Sequence, residues 1–324
     1  MGETRPQLGL FAPQLVASHG PVRLHPPGDE LLALADRVPE RVRFGTSSWT
    51  FPGWRGVLWS EDSDTRQLAR HGLAAYARHP LLRTVGIDRT FYGPIEAAEY
   101  REYAAQVPDD FRFLAKAHEA CVVARWPVHP RYGNLRGQQN PRCFDAGYAA
   151  EAVVGPFVEG LGGKAGVLLF QLPPRAHEAD PLGFAARLEA FLAALPRGPL
   201  YAVELRDPGL LTPAYAAALR RVGAEHCITV HPTMPSPRAQ FEATGGPRRR
   251  ALVMRWMLHR GHTYASAKAR YAPFDRLVEE DPATRSELAA LIASGALRTL
   301  VIVNNKAEGS SPLSIAQLAK AVAG

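Results

Sequence analysis

The chain has 324 residues, 46% of them hydrophobic and 21% charged, an ordinary globular composition with enough apolar material for one enzyme-sized domain. Cys121, Cys143 and Cys227 are odd in number and lack C-x-x-C spacing, which excludes a disulfide framework and a zinc ribbon. A formal net charge of +7 favours anionic partners, from nucleic acid to phosphorylated metabolites to acidic proteins, without choosing among them.

Residues 1–40 are punctuated by Pro6, Pro13, Pro21, Pro26 and Pro27 and show no sustained period, so a flexible N-terminal extension is expected there. It does not open on a basic patch followed by an apolar h-region, and no stretch of the chain reaches the roughly 18 apolar residues of a membrane helix. A cytoplasmic protein without a membrane partner is expected.

From residue 41 to 324, short apolar runs alternate with Ala- and Leu-rich ones. Strands are predicted at RVRFGTS from Arg41, LLRTVGID from Leu81, FRFLAK from Phe111, GVLLFQ from Gly166, LYAVELR from Leu200, HCITVH from His226, ALVMRWM from Ala251 and RTLVIVN from Arg298. Helices are predicted over 65–78, 95–106, 145–159, 181–195, 212–221, within 271–293 and over 312–322. Eight strands with intervening helices imply an α/β chain folded as one (β/α)8 TIM-barrel-like domain. A doubly wound open sheet would carry G-x-G-x-x-G after its first strand, and that motif is absent there. The long connections 120–144, after strand three, and 232–250, after strand six, show no helical period; in a barrel they rim the functional face. Arg248, Arg249 and Arg250 lack interleaved aromatics and read as a solvated loop.

The predicted strand ends are polar. Strand one runs into Ser47, Ser48, Trp49, Trp54 and Arg55; strand two into Asp88, Arg89 and Tyr92; strand three into Lys116 and His118; strand four into Gln171. Strand five ends in Glu204, Arg206 and Asp207, strand six in His231, strand seven in Arg255 and Trp256, and strand eight in Asn304, Asn305 and Lys306.

GTSSWTFPGWRGVLW, VGIDRTFYG, FRFLAK, GVLLFQLPPR, VELRDP, VIVNN and the closing SIAQLAKAV follow one another in this order between residues 43 and 322. Together they resemble the YecE-like family (domain of unknown function seventy-two), which implies a TIM barrel and specifies no reaction. The family's second-strand motif usually reads like V-E-I-N, whereas Gly86 stands here at the glutamate position and Asp88 at the asparagine. Any role of that carboxylate is lost or has moved to Asp88.

Glu204 and Arg206 are two apart, so on a strand they share one face. Arg206 can fork two donors onto a phosphate or carboxylate, while Glu204 reads as a buried acid, base or nucleophile, or else as half of a structural pair. Only five lysines occur, and Lys116 stands at a strand tip, where burial gives an amine chemistry that arginine lacks. Lys116 and Glu204 are therefore the expected catalytic residues, with hydrolase- or lyase-type acid-base chemistry. Trp49, Asp88, Tyr92, His118, Gln171, Arg206, Asn304 and Asn305 are expected to bind substrate, one asparagine facing the pocket while the other ties down the loop. A divalent metal would draw on Asp88, His118, Glu204, Asp207 and His231, but these are spread over several strands without a spacing signature; no metal ligand is assigned and no cofactor is expected.

QLGLF, from Gln7 to Phe11, looks like the peptide by which bacterial replication and repair proteins bind the sliding clamp, with Leu8, Leu10 and Phe11 for an apolar groove and Gln7 as polar anchor. Three readings stand at this point. One is an enzyme on a phosphate-bearing substrate, extending to nucleic acid in DNA repair. The second is an enzyme on a small sugar-like or acidic metabolite, and the third is a non-catalytic binding module recruited to the clamp.

Overall fold

A computed structural model of the chain describes residues 21–174, 180–246, 250–295 and 298–324. Eight parallel strands close into a barrel in chain order: β1 (Val42–Thr46), β2 (Leu82–Ile87), β3 (Arg112–Lys116), β4 (Ala165–Gln171), β5 (Tyr201–Glu204), β6 (Glu225–Val230), β7 (Leu252–Trp256) and β8 (Thr299–Val303). Alternation sorts the side chains. Leu114, Val167, Leu169, Ala202, Cys227, Val253, Leu300 and Ile302 form a buried cluster of their own inside the barrel, while Phe113, Leu168, Val203, Ile228 and Val301, each one residue away, pack outward with the helices.

The closure depends on one glycine. The β1–β2 register shifts between Phe44 and Gly45, and a Cβ at Gly45 would lie 1.9 Å from the Thr84 carbonyl oxygen. Next to it, the Thr46 N–H donates to the Tyr76 hydroxyl at 2.9 Å.

The helices are α1 (Asp29–Arg37), α2 (Thr65–Tyr76), α3 (Ala97–Ala105), α4 (Ala146–Ala149), α5 (Gly155–Leu161), α6 (Pro181–Ala193), α7 (Pro213–Val222), α8 (Pro237–Ala243), α9 (Tyr264–Tyr271), α10 (Pro282–Ala293) and α11 (Ser311–Ala323). A π-helical turn, Ala150–Val154, joins α4 to α5. Asp180, Thr212, Ser236 and Asp281 each cap the helix that follows with a side-chain oxygen and precede a proline in its first turn. Proline has no N–H to leave unpaired there, so D-P, T-P and S-P mark these starts. No helix among the described residues is long and apolar enough to cross a membrane.

Three expectations need correction. Residues 21–40 are folded against the barrel: His25 N–H donates to the Leu58 carbonyl at 2.8 Å, Ser60 N–H to that of Arg23 at 3.0 Å, and α1 packs on α11. Leu31, Leu34, Ala35 and Val38 supply an i, i+3, i+4, i+7 stripe that joins the core. Residues 1–20, with the QLGLF peptide, lie outside the described residues. The second correction is α9, which has no counterpart among the predicted helices; it begins at a capping box of Thr263 and Ser266.

The third concerns the connection after β6, where no helix is expected and the structure has α8; in both long connections the described residues are tied down by buried amides. After β3, Asn140 Nδ2 donates to the carbonyls of Ala120 and Val123 at 2.8 and 2.7 Å. After β6, the unexpected α8 delivers Gln240 beneath the barrel wall. Its Oε1 accepts from Thr229 N–H at 3.1 Å and faces His226 Nε2 at 3.1 Å, while its Nε2 donates to the carbonyls of Thr229 and Pro235 at 2.8 Å. Gln240→Ala should therefore lower stability by about 2–4 kcal/mol in urea unfolding, because it opens a cavity and strands buried polar partners. A loss below about 0.5 kcal/mol would contradict the anchoring role.

Candidate active site

The ends of β2, β3, β4, β5 and β7 bring five charged side chains and one amide into a single network. Arg255, on β7, is its hub and is 0% exposed. Its Nη1 donates to Glu204 Oε2 at 2.6 Å and to Gln171 Oε1 at 3.0 Å, and its Nη2 lies 3.5 Å from Asp88 Oδ1. Asp88 turns its other oxygen to Lys116 Nζ at 3.2 Å. Glu204 turns its other oxygen to the Arg206 guanidinium. Period-2 alternation explains the convergence, since Lys116, Gln171, Glu204 and Arg255 each lie two residues beyond a member of the interior cluster, Leu114, Leu169, Ala202 and Val253.

Electrostatics divide the roles. Burial pushes the Glu204 carboxyl up, but Arg206, Arg255 and Lys116 more than reverse this and hold it at about 2. A carboxylate that is 0% exposed, paired on both oxygens and this acidic is a poor proton acceptor near neutrality. This geometry fits the other reading of Glu204, half of a structural pair: its two oxygens face two guanidinium groups, those of Arg206 and Arg255. Burial lowers the pKa of Lys116, with Arg255 acting in the same sense, while Asp88 and Glu204 oppose the shift. Its side chain is 11% exposed, enough to meet a ligand at the rim. His231, after β6, is lowered to about 4 by burial and by Arg206, so it is neutral at physiological pH.

The remaining expected residues separate. Asn304 bridges the ends of β8 and β1, its Nδ2 donating to Ser47 Oγ at 3.3 Å and its Oδ1 accepting from Lys306 N–H at 3.0 Å. Asn305 is structural: its Oδ1 accepts from Trp54 Nε1 at 3.1 Å and from Ser311 N–H and Oγ at 2.9 and 2.8 Å. Trp49 is not a rim platform. It is 4% exposed, donates Nε1 to the Leu68 carbonyl at 3.1 Å and meets Tyr103 edge-on. Tyr92, in the loop after β2, is 64% exposed, and the Arg131 guanidinium from the loop after β3 lies 4.8 Å above its ring. His118 Nδ1 lies 2.5 Å from the Tyr148 hydroxyl, and burial and Arg142 lower its pKa.

A family model described as "Protein of unknown function DUF72" matches residues 43–324. The chain belongs to the DUF72 family. Among solved structures it resembles a DUF72 family protein from Thermotoga maritima, 18% identical over 86% of this chain and 98% of that one with a TM-score of 0.56. A DUF72 family protein from Enterococcus faecalis is 16% identical over 87% and 95%, also with a TM-score of 0.56. At such identities the likeness shows the fold. No curated protein matches the chain.

Within this DUF72 barrel, the Gly86 departure has a steric side: a Cβ there would stand 2.9 Å from the Ser47 carbonyl oxygen, tighter than real Cβ atoms tolerate. The carboxylate of the second strand is instead the one on Asp88, which bridges Lys116 and Arg255. Of the five residues considered as metal ligands, Asp207 caps its own turn by accepting from Gly209 N–H at 2.9 Å, and the set forms no three-ligand group among the described residues. A cavity of about 930 Å³ lies at the opposite end of the barrel, lined by Arg197, Arg220, Arg221, Arg250 and Arg298 among others. It adjoins the C-terminal ends of α6 and α7, where Arg220 and Arg221 in the last turn of α7 complement that helix's dipole, and it shares no residue with the mouth network.

Proposed function

We propose that the mouth of this barrel is an active site for an anionic substrate, phosphate- or carboxylate-bearing, with Lys116 transferring the proton. One observation carries the reading: among the described residues the network sets three basic side chains, Lys116, Arg206 and Arg255, against two carboxylates, Asp88 and Glu204, an excess of one positive charge while Lys116 is protonated. Shielded from water, such an excess draws an anion far more strongly than the same charges would on an open surface. Arg255 is fully enclosed, so an anion would meet Arg206 and Lys116, whose side chains are 12% and 11% exposed. The chemistry is of the hydrolase or lyase kind, with Lys116 as general acid or base.

Inorganic phosphate tests the anion site directly. Arg206→Lys keeps the charge that Glu204 requires but loses the two-pronged grip, so phosphate affinity by calorimetry should fall about tenfold with little change in melting temperature. Unchanged phosphate binding would remove the basis of the proposal. The same titration with short DNA, repeated at rising salt, separates nucleic acid from a small metabolite, because phosphate-backbone binding weakens steeply as counterions are added.

A further inference from the structure

Away from the mouth network, three ligand-type side chains converge where the loop after β7 meets the loop after β8. His259 and His262 come from the first loop and Glu279 from the stretch before α10, and their ligand atoms all lie within 4.8 Å of one another. His262 Nε2 is 3.0 Å from Glu279 Oε2, and His259 Nε2 is 3.8 Å from Oε1.

The frame beneath them is rigid. His259 N–H donates to the Lys306 carbonyl at 2.8 Å, and the N–H groups of Val278 and Glu279 donate to the Glu308 carbonyl at 2.8 and 3.2 Å. The Glu308 side chain, fully buried, accepts from Asp281 N–H at 2.7 Å and pairs with Arg285 at 2.6 Å. The His262 ring is oriented from behind, its Nδ1 lying 3.2 Å from Ser266 Oγ, the hydroxyl that closes the α9 capping box. An imidazole whose far nitrogen is held in this way presents its near nitrogen in a fixed direction, as metal-binding histidines do.

We infer that His259, His262 and Glu279 form a binding site for a divalent transition metal of the zinc class. Two imidazoles and one carboxylate suit Zn²⁺ and its neighbours in hardness, and three protein ligands leave a tetrahedral ion one open position for water or a ligand. Two groups compete with the ion. Arg270 Nε sits 2.9 Å from Glu279 Oε2 on a largely exposed side chain that can turn out to solvent, and the Tyr271 hydroxyl lies 3.4 Å from the same oxygen. His259 must also give up a long contact. Gly261 N–H approaches its Nδ1 at 3.2 Å, and binding through Nε2 places the ring proton on Nδ1.

The test uses the full chain, stripped with a chelator and titrated with Zn²⁺ in a calorimeter and with Co²⁺ under visible absorption. The expected result is one equivalent bound, with Co²⁺ giving the intense bands of a low-coordinate nitrogen and oxygen site. His262→Ala and Glu279→Gln abolish binding, and Ser266→Ala weakens it about tenfold. Arg270→Ala, an exposed change that leaves the core untouched, tightens it several-fold because the competing cation is gone. No Zn²⁺ uptake, or uptake that neither Glu279→Gln nor Arg270→Ala alters, overturns the site. These readouts are independent of any turnover at the mouth.

Discussion

Arg255→Met should lower the unfolding free energy by about 3–5 kcal/mol, the usual cost of stripping one partner from a buried ion pair. The methionine fills most of the volume, so the loss is chiefly electrostatic: Glu204 and Gln171 lose their shared donor, and Asp88 keeps only Lys116. Adding Glu204→Gln should recover part of the loss, with a coupling energy of about 1–3 kcal/mol in the double-mutant cycle. The pH dependence has a definite sign. Glu204 is depressed to about 2 in the folded chain, so its stabilising contribution is complete above the unfolded carboxyl value near ~4.3 and vanishes as the pH falls through about 2. The difference between wild type and Arg255→Met should therefore narrow across that acid window. Denaturant titrations at several pH values measure it, and a deficit under about 1 kcal/mol at neutral pH would remove Arg255 from the centre of the network.

Lys116→Met should reduce kcat by about 10²–10⁴, the contribution expected of one positioned proton-transfer group, and change KM far less. The informative companion is Lys116→Arg. A guanidinium restores the charge facing Asp88 but does not give up its proton near neutrality, so substrate binding should return while turnover does not. A screen of phosphomonoesters, phosphodiesters and carboxylate metabolites, scored by kcat and KM for the three proteins, decides the matter. Full activity in Lys116→Arg would reduce the lysine to an electrostatic anchor.

The barrel could be read from the chain because each strand is a short apolar run ending in polar residues: six observed strands fall within their predicted runs, and β4 and β6 each begin one residue earlier, at Ala165 and Glu225. Residues 21–40 escaped for a local reason: Pro21, Pro26 and Pro27 dominate the opening of that stretch and mask the helical spacing of Leu31, Leu34, Ala35 and Val38 that follows. At the mouth, Lys116, Glu204, Arg206, Asp88 and Gln171 were reachable because strand period and strand end together specify an inward-facing tip. Arg255 was visible as a strand-seven terminus, yet its meaning lies in partners on β2, β4 and β5, far away along the chain. The sequence signal for it is a lone arginine inside an otherwise apolar buried run, a position arginine rarely takes without a counter-ion. Trp49 failed for the opposite reason. Beyond the irregular β1 register, alternation no longer tells which way a side chain turns.

The apolar layer formed by Leu114, Val167, Leu169, Ala202, Cys227, Val253, Leu300 and Ile302 makes the barrel a cup with a sealed floor. Among the described residues this layer closes the barrel beneath Lys116, so a ligand that covered the rim would shield the amine from solvent. The arginines beneath the floor share no residue with the network above, so the two cationic ends of the molecule can be redesigned one at a time.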